Sequence, residues 1–344
     1  MCSALPGEET NEQVLARVFA LVLSTSCAAW GQGRPTSVAD MSPHTVQFVM
    51  VEPGVKLEVL DWGGTGSPVV LLAGLGSSAH VFDKFATKLT GKYHVYGITR
   101  RGVETSNAPM RALENYSADR LGDDVIAVLN HLDIVRPVLV GHSIAGEELS
   151  SIGSRFPARV AGLVYLDAGY SYALYNGAKG DFSIDTHQLE LDLAAFRAAI
   201  LPDDAKKALH AVQQELPRIQ TELAALLKDW DQVPMMTAEQ KAKLTPEMMK
   251  QRAVGQAILN SGQRYTTIAC PVLAIFAEPH SRGAKPATPD EDAKNIAEVE
   301  PQAKLFEELP NAKVVRIAHA DHFVFSSNEA DVLRDMDTFI GGLK

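Results

Sequence analysis

The residues Gly141-His142-Ser143-Ile144-Ala145-Gly146 join the apolar run "RPVLVG" to the amphipathic stretch that begins at Glu147. A serine on a sharp turn between a buried strand and a helix is a nucleophile position, because the turn lifts its hydroxyl above the sheet. Small residues two before and two after it, Gly141 and Ala145, let strand and helix approach closely. Ser143 Oγ then stands at a helix N-terminus, where amide dipoles favour developing negative charge. Attack on an acyl carbon needs two further groups: a base to take the serine proton and an acid to orient that base. Glu147 and Glu148 fall in the first turn of the same helix, where complementing the dipole is reason enough for a carboxylate. His142 and His80 read as loop-packing residues. Toward the C-terminus, "RIAHADHFVF" places His319 and His322 between a strand-like run and the last amphipathic stretch.

These side chains need a scaffold, and the hydrophobic pattern supplies one. "TVQFVMVEPGVKLEVLDWG" reads as a hairpin turning at Pro53-Gly54. "PVVLLAG" (68–74), "YHVYGIT" (93–99), "RPVLVG" (136–141) and "VAGLVYLD" (160–167) are strand-length runs. Helical spacing separates them: Val81, Phe85 and Leu89, then "SADRLGDDVIAVLNHLDI" with Ser117 or Asp119 as its cap, then 145–156. Alternation of this kind predicts βαβ units, hence an α/β fold with a mostly parallel sheet and helices on both faces. The rhythm stops between 170 and 262, a segment rich in Leu, Ala, Lys, Gln and Met. Leu189, Leu193, Phe196 and Ile200 keep helical spacing there, and Pro202, Pro217, Pro234 and Pro246 are expected to cut it into four or five short helices. The sheet resumes with "PVLAIFA" (271–277), a helix near 290–309, "AKVVRIA" (312–318) and a C-terminal helix from Glu329 to Leu343. The core is thus expected over 45–169 and 263–344, with 170–262 an inserted helical cap.

Of the 344 residues, 46% are hydrophobic and 22% charged, the make-up of a globular chain with a sizeable core. A net charge of −10 leaves no basic stripe for nucleic acid or an anionic membrane. Residues 1–31 read as a signal peptide: "VFALVLSTSCAAWGQG" follows Arg17, is too short to span a bilayer, and ends in small residues suited to cleavage after Ala29 or Gly31. Export to a secreted or periplasmic location follows as an expectation. Glu8, Glu9 and Glu12 suit such a segment poorly and place its start nearer Val14, while "STSC" lacks the aliphatic residue that lipid attachment at Cys27 calls for. Cleavage leaves Cys270 as the one cysteine, expected to be an inert core residue without a disulfide.

From residue 45 onward the chain resembles the α/β-hydrolases that carry a cap. "LLAGLGSS" stands where that family has a His-Gly motif after its third strand, with Ala73 in place of the histidine and Gly74 retained. "TRRGVETSNAP" resembles the family's Arg-Gly loop with Thr99 as a changed leading residue. The resemblance implies backbone N–H groups of Leu75 and Ile144 as oxyanion donors and His322 as general base, with His319 structural. Asp321 replaces the glycine usual before that histidine. A metal site from His319, Asp321 and His322 lacks further ligands, so no metal or other cofactor is expected. The acid is the open position. Many family members carry Gly-Glu-x-Asp after the seventh strand, but here the letters are Ala277-Glu278-Pro279-His280. Asp167 in "VYLDAGY" resembles the acid of the pancreatic-lipase branch, Glu278 is its rival, and a site without an acid is the third reading.

The function implied is a serine hydrolase acting through an acyl-enzyme on a small apolar ester or lactone. A serine at the elbow departs from the haloalkane dehalogenase and epoxide hydrolase branches, which need a carboxylate there. Met235, Met236, Met248 and Met249 of the cap are expected to roof the pocket. Carbon–carbon bond hydrolysis, acyl transfer, and ligand binding without catalysis use the same scaffold and stay as alternatives.

Overall fold

A computed structural model describes residues 42–107, 113–231, 233–281 and 288–343. The expected signal segment 1–31, Cys27 included, lies outside the described residues. Strands β1 (Thr45–Glu52) and β2 (Val55–Gly63) pair antiparallel, with Glu52 opposite Val55 across a two-residue turn. Gly54 in that turn has φ +83°, a left-handed conformation that glycine adopts at little cost. β3 (Pro68–Leu72), β4 (His94–Ile98), β5 (Val138–His142), β6 (Gly162–Leu166), β7 (Val272–Ser281) and β8 (Ala312–Asp321) follow. The eight lie in the order β1-β2-β4-β3-β5-β6-β7-β8, and every pair from β4 to β8 is parallel.

The central strands β3, β5 and β6 are buried on both sides, as their uninterrupted apolar runs require. Val70 and Leu72 of β3 and Leu139 of β5 face α2 (Ala118–His131), α3 (Gly146–Arg155) and α8 (Pro289–Glu307). Val69, Leu71, Val138 and Val140 face α1 (Asp83–Leu89) and α10 (Glu329–Gly341). Ser117 is the cap of α2, its hydroxyl accepting from Arg120 N–H at 3.3 Å. Cys270 is buried and free, and burial pushes its thiol up to about 11, which keeps it protonated and inert.

Among the described residues, four helices stand between β6 and β7: α4 (Phe182–Ala198), α5 (Pro202–Trp230), α6 (Ala238–Ala242) and α7 (Pro246–Leu259). Pro202 and Pro246 begin helices as expected, but Pro217 does not end one: α5 runs through it for 29 residues. Pro217 is exposed, so water can take up the carbonyl that its missing N–H leaves free. Arg264, on the return to the core, ties the insertion together by bonding Asp185 of α4 at Nε (3.0 Å) and Glu215 of α5 at Nη2 (2.6 Å). No helix among the described residues is long and apolar enough to cross a membrane. A last short helix, α9 (Val324–Ser327), leads into α10.

The strand order reverses at β3, which lies between β4 and β5. Chains leaving β3 and β5 therefore diverge to opposite sides and open a crevice beyond their carboxyl ends, the usual ligand position in such sheets. Leu75 and Ser143 follow those two strand ends.

Candidate active site

Ser143 leaves β5 with φ +54°, a left-handed backbone that costs a non-glycine residue roughly 1–2 kcal/mol. The close packing around it explains the small neighbours. A Cβ on Gly146 would lie 2.0 Å from the carbonyl oxygen of Ala168, and one on Gly141 would lie 2.9 Å from Leu149. Ser143 itself stays half-buried and so reachable, while His142 and Ile144 on either side are buried.

His322 follows β8 directly and is buried. Its Nδ1 lies 2.8 Å from Oδ2 of Asp167, the residue that follows β6. The elbow is fastened to the same loop. His142 Nε2–H donates to the His322 carbonyl at 2.9 Å, and the two rings lie 4.6 Å apart between centroids. Asp167 is fully buried and has positive φ (+46°). Its Oδ1 accepts from the Tyr170 hydroxyl at 2.7 Å and from Ala277 N–H at 3.1 Å. Its Oδ2 also meets His280 Nδ1 at 2.5 Å. Burial alone would raise this carboxyl, but His280 and His322 outweigh it and hold the group well below the usual carboxylate range. Asp167 is therefore an anion that accepts from both imidazoles, and each Nδ1 carries a proton.

Glu278 does not reach His322. Its carboxylate faces Arg316 of β8, with Oε1 3.7 Å from Nε. The β7–β8 ladder is irregular between Glu278 and Ser281, and His280 has φ +59°. A bulge of this kind re-aims a side chain, here turning His280 instead of Glu278 toward Asp167. His319 is exposed with φ +58°, and Asp321 is the exposed last residue of β8, its Oδ1 accepting from Phe323 N–H at 2.8 Å. The donors that converge are instead Asp167, His280 and His322, all within 4.8 Å. Both ring nitrogens lie within 2.8 Å of one carboxylate oxygen, closer than ligands spread around an ion at about 2.0–2.1 Å normally stand. The spacing is that of shared protons.

Opposite Ser143, the loop Ala73-Gly74-Leu75 is held from behind. Arg100 Nη2 donates to the Ala73 carbonyl at 3.0 Å and Nη1 to the Gly74 carbonyl at 3.3 Å. In a trans peptide the N–H points opposite to the carbonyl, so the Leu75 N–H is turned away from Arg100. Gly74 is closely packed: a Cβ there would lie 3.0 Å from the His142 ring and 3.1 Å from Ser143 Cβ, so one of them would have to give. Arg100 is anchored in turn by Glu148 of α3, through Nε at 2.5 Å and Nη2 at 3.2 Å. Burial outweighs the pull of Arg100 and leaves the Glu148 carboxyl above its ordinary value, while Glu148 raises the Arg100 guanidinium, and two charge-assisted bonds join the pair. The helix dipole is thus the smaller part of what Glu148 does.

Glu147 differs from its neighbour. It is fully buried, and burial together with the charge of Glu148 raises its carboxyl well above the ordinary value. A folded-state value raised above the unfolded one contributes stability below the unfolded value, about 4.3, and loses it as pH rises toward the folded one. Glu147→Gln, which never ionises, is accordingly expected to show a flatter stability profile between pH 5 and 8 than wild type, measured by chemical denaturation.

The cap meets the site through α7. Val254 and Ile258 pack with Ile144, Tyr116 and Leu121, and Leu75 and Tyr172 border the cluster. The methionines do not roof this face: Met235 is 86% exposed, and Met236 and Met249 are also exposed. Met248 is half-buried. Branched side chains of α7, near the end of the insertion, occupy the place expected for them.

Ser143, His322 and Asp167 were legible as candidates from the sequence, as were Leu75 and Ile144. Arg100, Tyr170 and His280 were not. The departure of "AEPHS" from the expected acid position was the one signal that pointed to His280.

A family model described as alpha/beta hydrolase fold matches residues 67–329. Among curated proteins, an sn-1-specific diacylglycerol lipase of Xenopus tropicalis is 28% identical over 41% of this chain and 44% of its own length. A bifunctional epoxide hydrolase of Sus scrofa is 26% identical over 40% of this chain and 24% of its own. The chain spans less than half the length of the curated relatives it matches. Solved structures share the fold at greater distance. An esterase of Rhodococcus sp. matches at TM-score 0.53 with 18% identity, covering 87% of this chain and 99% of the other. A serine hydrolase involved in carbazole degradation matches at TM-score 0.54 with 16% identity, covering the same shares.

Proposed function

Because the chain belongs to the alpha/beta hydrolase fold family, we propose that it is a serine hydrolase that cleaves an apolar carboxylic ester or lactone through an acyl-enzyme. The observation that carries the reading is the 2.8 Å contact between His322 Nδ1 and the buried anion Asp167. With Nδ1 protonated and bonded, the other ring nitrogen, Nε2, is the basic one, as a general base for Ser143 requires.

The steps follow from these groups. Ser143 Oγ attacks the acyl carbon as its proton passes to His322 Nε2, and Asp167 stabilises the imidazolium that forms. The N–H groups of Leu75 and Ile144 bond the oxyanion. Collapse of the tetrahedral intermediate breaks the bond to the leaving alkoxide, which takes the proton from His322. Water then attacks the acyl-enzyme by the same route and frees Ser143. Aliphatic side chains at both oxyanion positions and on α7 favour an apolar acyl or alkyl group.

A panel of p-nitrophenyl esters and lactones of increasing chain length tests the reading. Wild type is expected to turn over the medium chains, with a burst of one product equivalent where deacylation is slow. Ser143→Ala is expected to lose at least about 10³-fold in kcat. Turnover of β-diketones but not esters would move the assignment to carbon–carbon hydrolysis.

A further inference from the structure

Four donors fill the four acceptor positions of Asp167. Ala277 N–H and the Tyr170 hydroxyl take Oδ1, while His280 and His322 both take Oδ2. The Tyr170 oxygen also lies 2.5 Å from His280 Nδ1, so Tyr170, His280 and Asp167 form a closed ring of hydrogen bonds. The His280 and His322 rings are 5.0 Å apart and nearly perpendicular. His280 reaches this place through the irregular end of β7. Resting on the proposed role of Asp167 as acid, we infer that His280 is a positioning residue: its Nδ1–H holds Asp167 Oδ2 against His322 and divides that oxygen's negative charge between two imidazoles.

The consequences differ for rate and for pH. Without the His280 donor, Asp167 loses one of its restraints and the pair spends less time aligned, so kcat falls. The oxygen then serves His322 alone and stabilises its imidazolium more strongly, so a higher pH is needed to free the base. The titratable groups facing the pair are Tyr170 from the loop after β6, His280 from β7 and His142 from the end of β5. His142 is the same in wild type and in any His280 variant, so it produces no difference between them.

The test compares His280→Leu with His280→Asn. Leucine fills the space without a donor, whereas the asparagine amide nitrogen sits the same number of bonds from Cα as the imidazole Nδ1. His280→Leu is expected to lose about 10-fold in kcat at unchanged KM and to move the acid limb of kcat/KM upward in pH. His280→Asn is expected to stay within about twofold of wild type, with the limb unmoved. Thermal melts establish that both variants are folded. A folded His280→Leu with wild-type kcat and pH profile overturns the proposal, and so does a His280→Asn as impaired as the leucine variant. Proton NMR gives a reading independent of turnover. Wild type is expected to show two low-field imidazole N–H resonances, of which the leucine variant loses one and shifts the other. Unchanged low-field signals in His280→Leu overturn the shared acceptor even if the protein hydrolyses nothing. Both resonances in a protein without turnover would instead leave this arrangement standing and remove the hydrolase reading.

Discussion

Asp167→Asn is expected to lower kcat by about 10⁴-fold, while Glu278→Gln changes it by no more than about twofold. Asparagine keeps the volume of Asp167 but presents an amide that donates as well as accepts. Its single oxygen can serve only one side: turned to the two imidazoles it leaves the amide NH2 against Ala277 N–H, and turned to Ala277 and Tyr170 it sets the NH2 against both Nδ1–H groups, where relief of the clash puts the proton of His322 on the wrong nitrogen. The imidazolium formed during attack also loses its buried counter-ion. Glu278 is coupled to neither effect, because its carboxylate faces Arg316. Steady-state kinetics on the two variants, with circular dichroism to establish folding, distinguish the carboxylates. Retained activity in Asp167→Asn with loss in Glu278→Gln would reverse the assignment.

Arg100→Met is expected to produce the largest loss of stability. Arg100 and Glu148 are both buried, and removing one partner strands the other charge, typically at a cost of about 3–5 kcal/mol. The double variant Arg100→Met, Glu148→Met removes both charges and should recover most of that loss, because two apolar side chains of similar length need no solvation. Activity should not recover with it. The Ala73 and Gly74 carbonyls lose their donors in either variant, and the Leu75 peptide is then free to rotate its N–H away from the oxyanion. A loss of about 10²-fold in kcat is expected in the double variant despite its stability, the size associated with one oxyanion donor. Urea denaturation and ester kinetics on the single and double variants separate the two effects. Coincident recovery of stability and rate would show that Arg100 does not position the loop.

The sheet, the elbow and the position of the candidate base His322 were legible because each rests on local pattern. Alternating strand and helix periods define βαβ units, and Gly141, Ser143, Ala145 and Gly146 state the packing of a sharp turn in residue size alone. For the acid the sequence favoured Asp167, with Glu278 close behind and no acid as a third reading, because which carboxylate meets His322 depends on how β7 ends. An irregular ladder at Glu278–Ser281 decides which side chain faces Asp167, and no one-residue pattern encodes it. Arg100 was hidden for a similar reason. An arginine in a loop reads as solvated until a distant glutamate and two carbonyls are found around it. Pro217 misled in the opposite direction, since propensity counts the lost hydrogen bond and not that an exposed face leaves the freed carbonyl open to solvent. The methionines misled because richness in a residue type says nothing about which face of an inserted helix turns inward.

The central claim is that Ser143 is a nucleophile activated by His322. Intact-mass and peptide mass spectrometry after treatment with a fluorophosphonate measures this most directly, since only an activated serine displaces the fluoride. The account predicts one adduct per chain, on Ser143, in wild type, and none in folded Ser143→Ala or His322→Ala. Folded wild-type protein that takes up no probe, or takes it up at another residue, would contradict it.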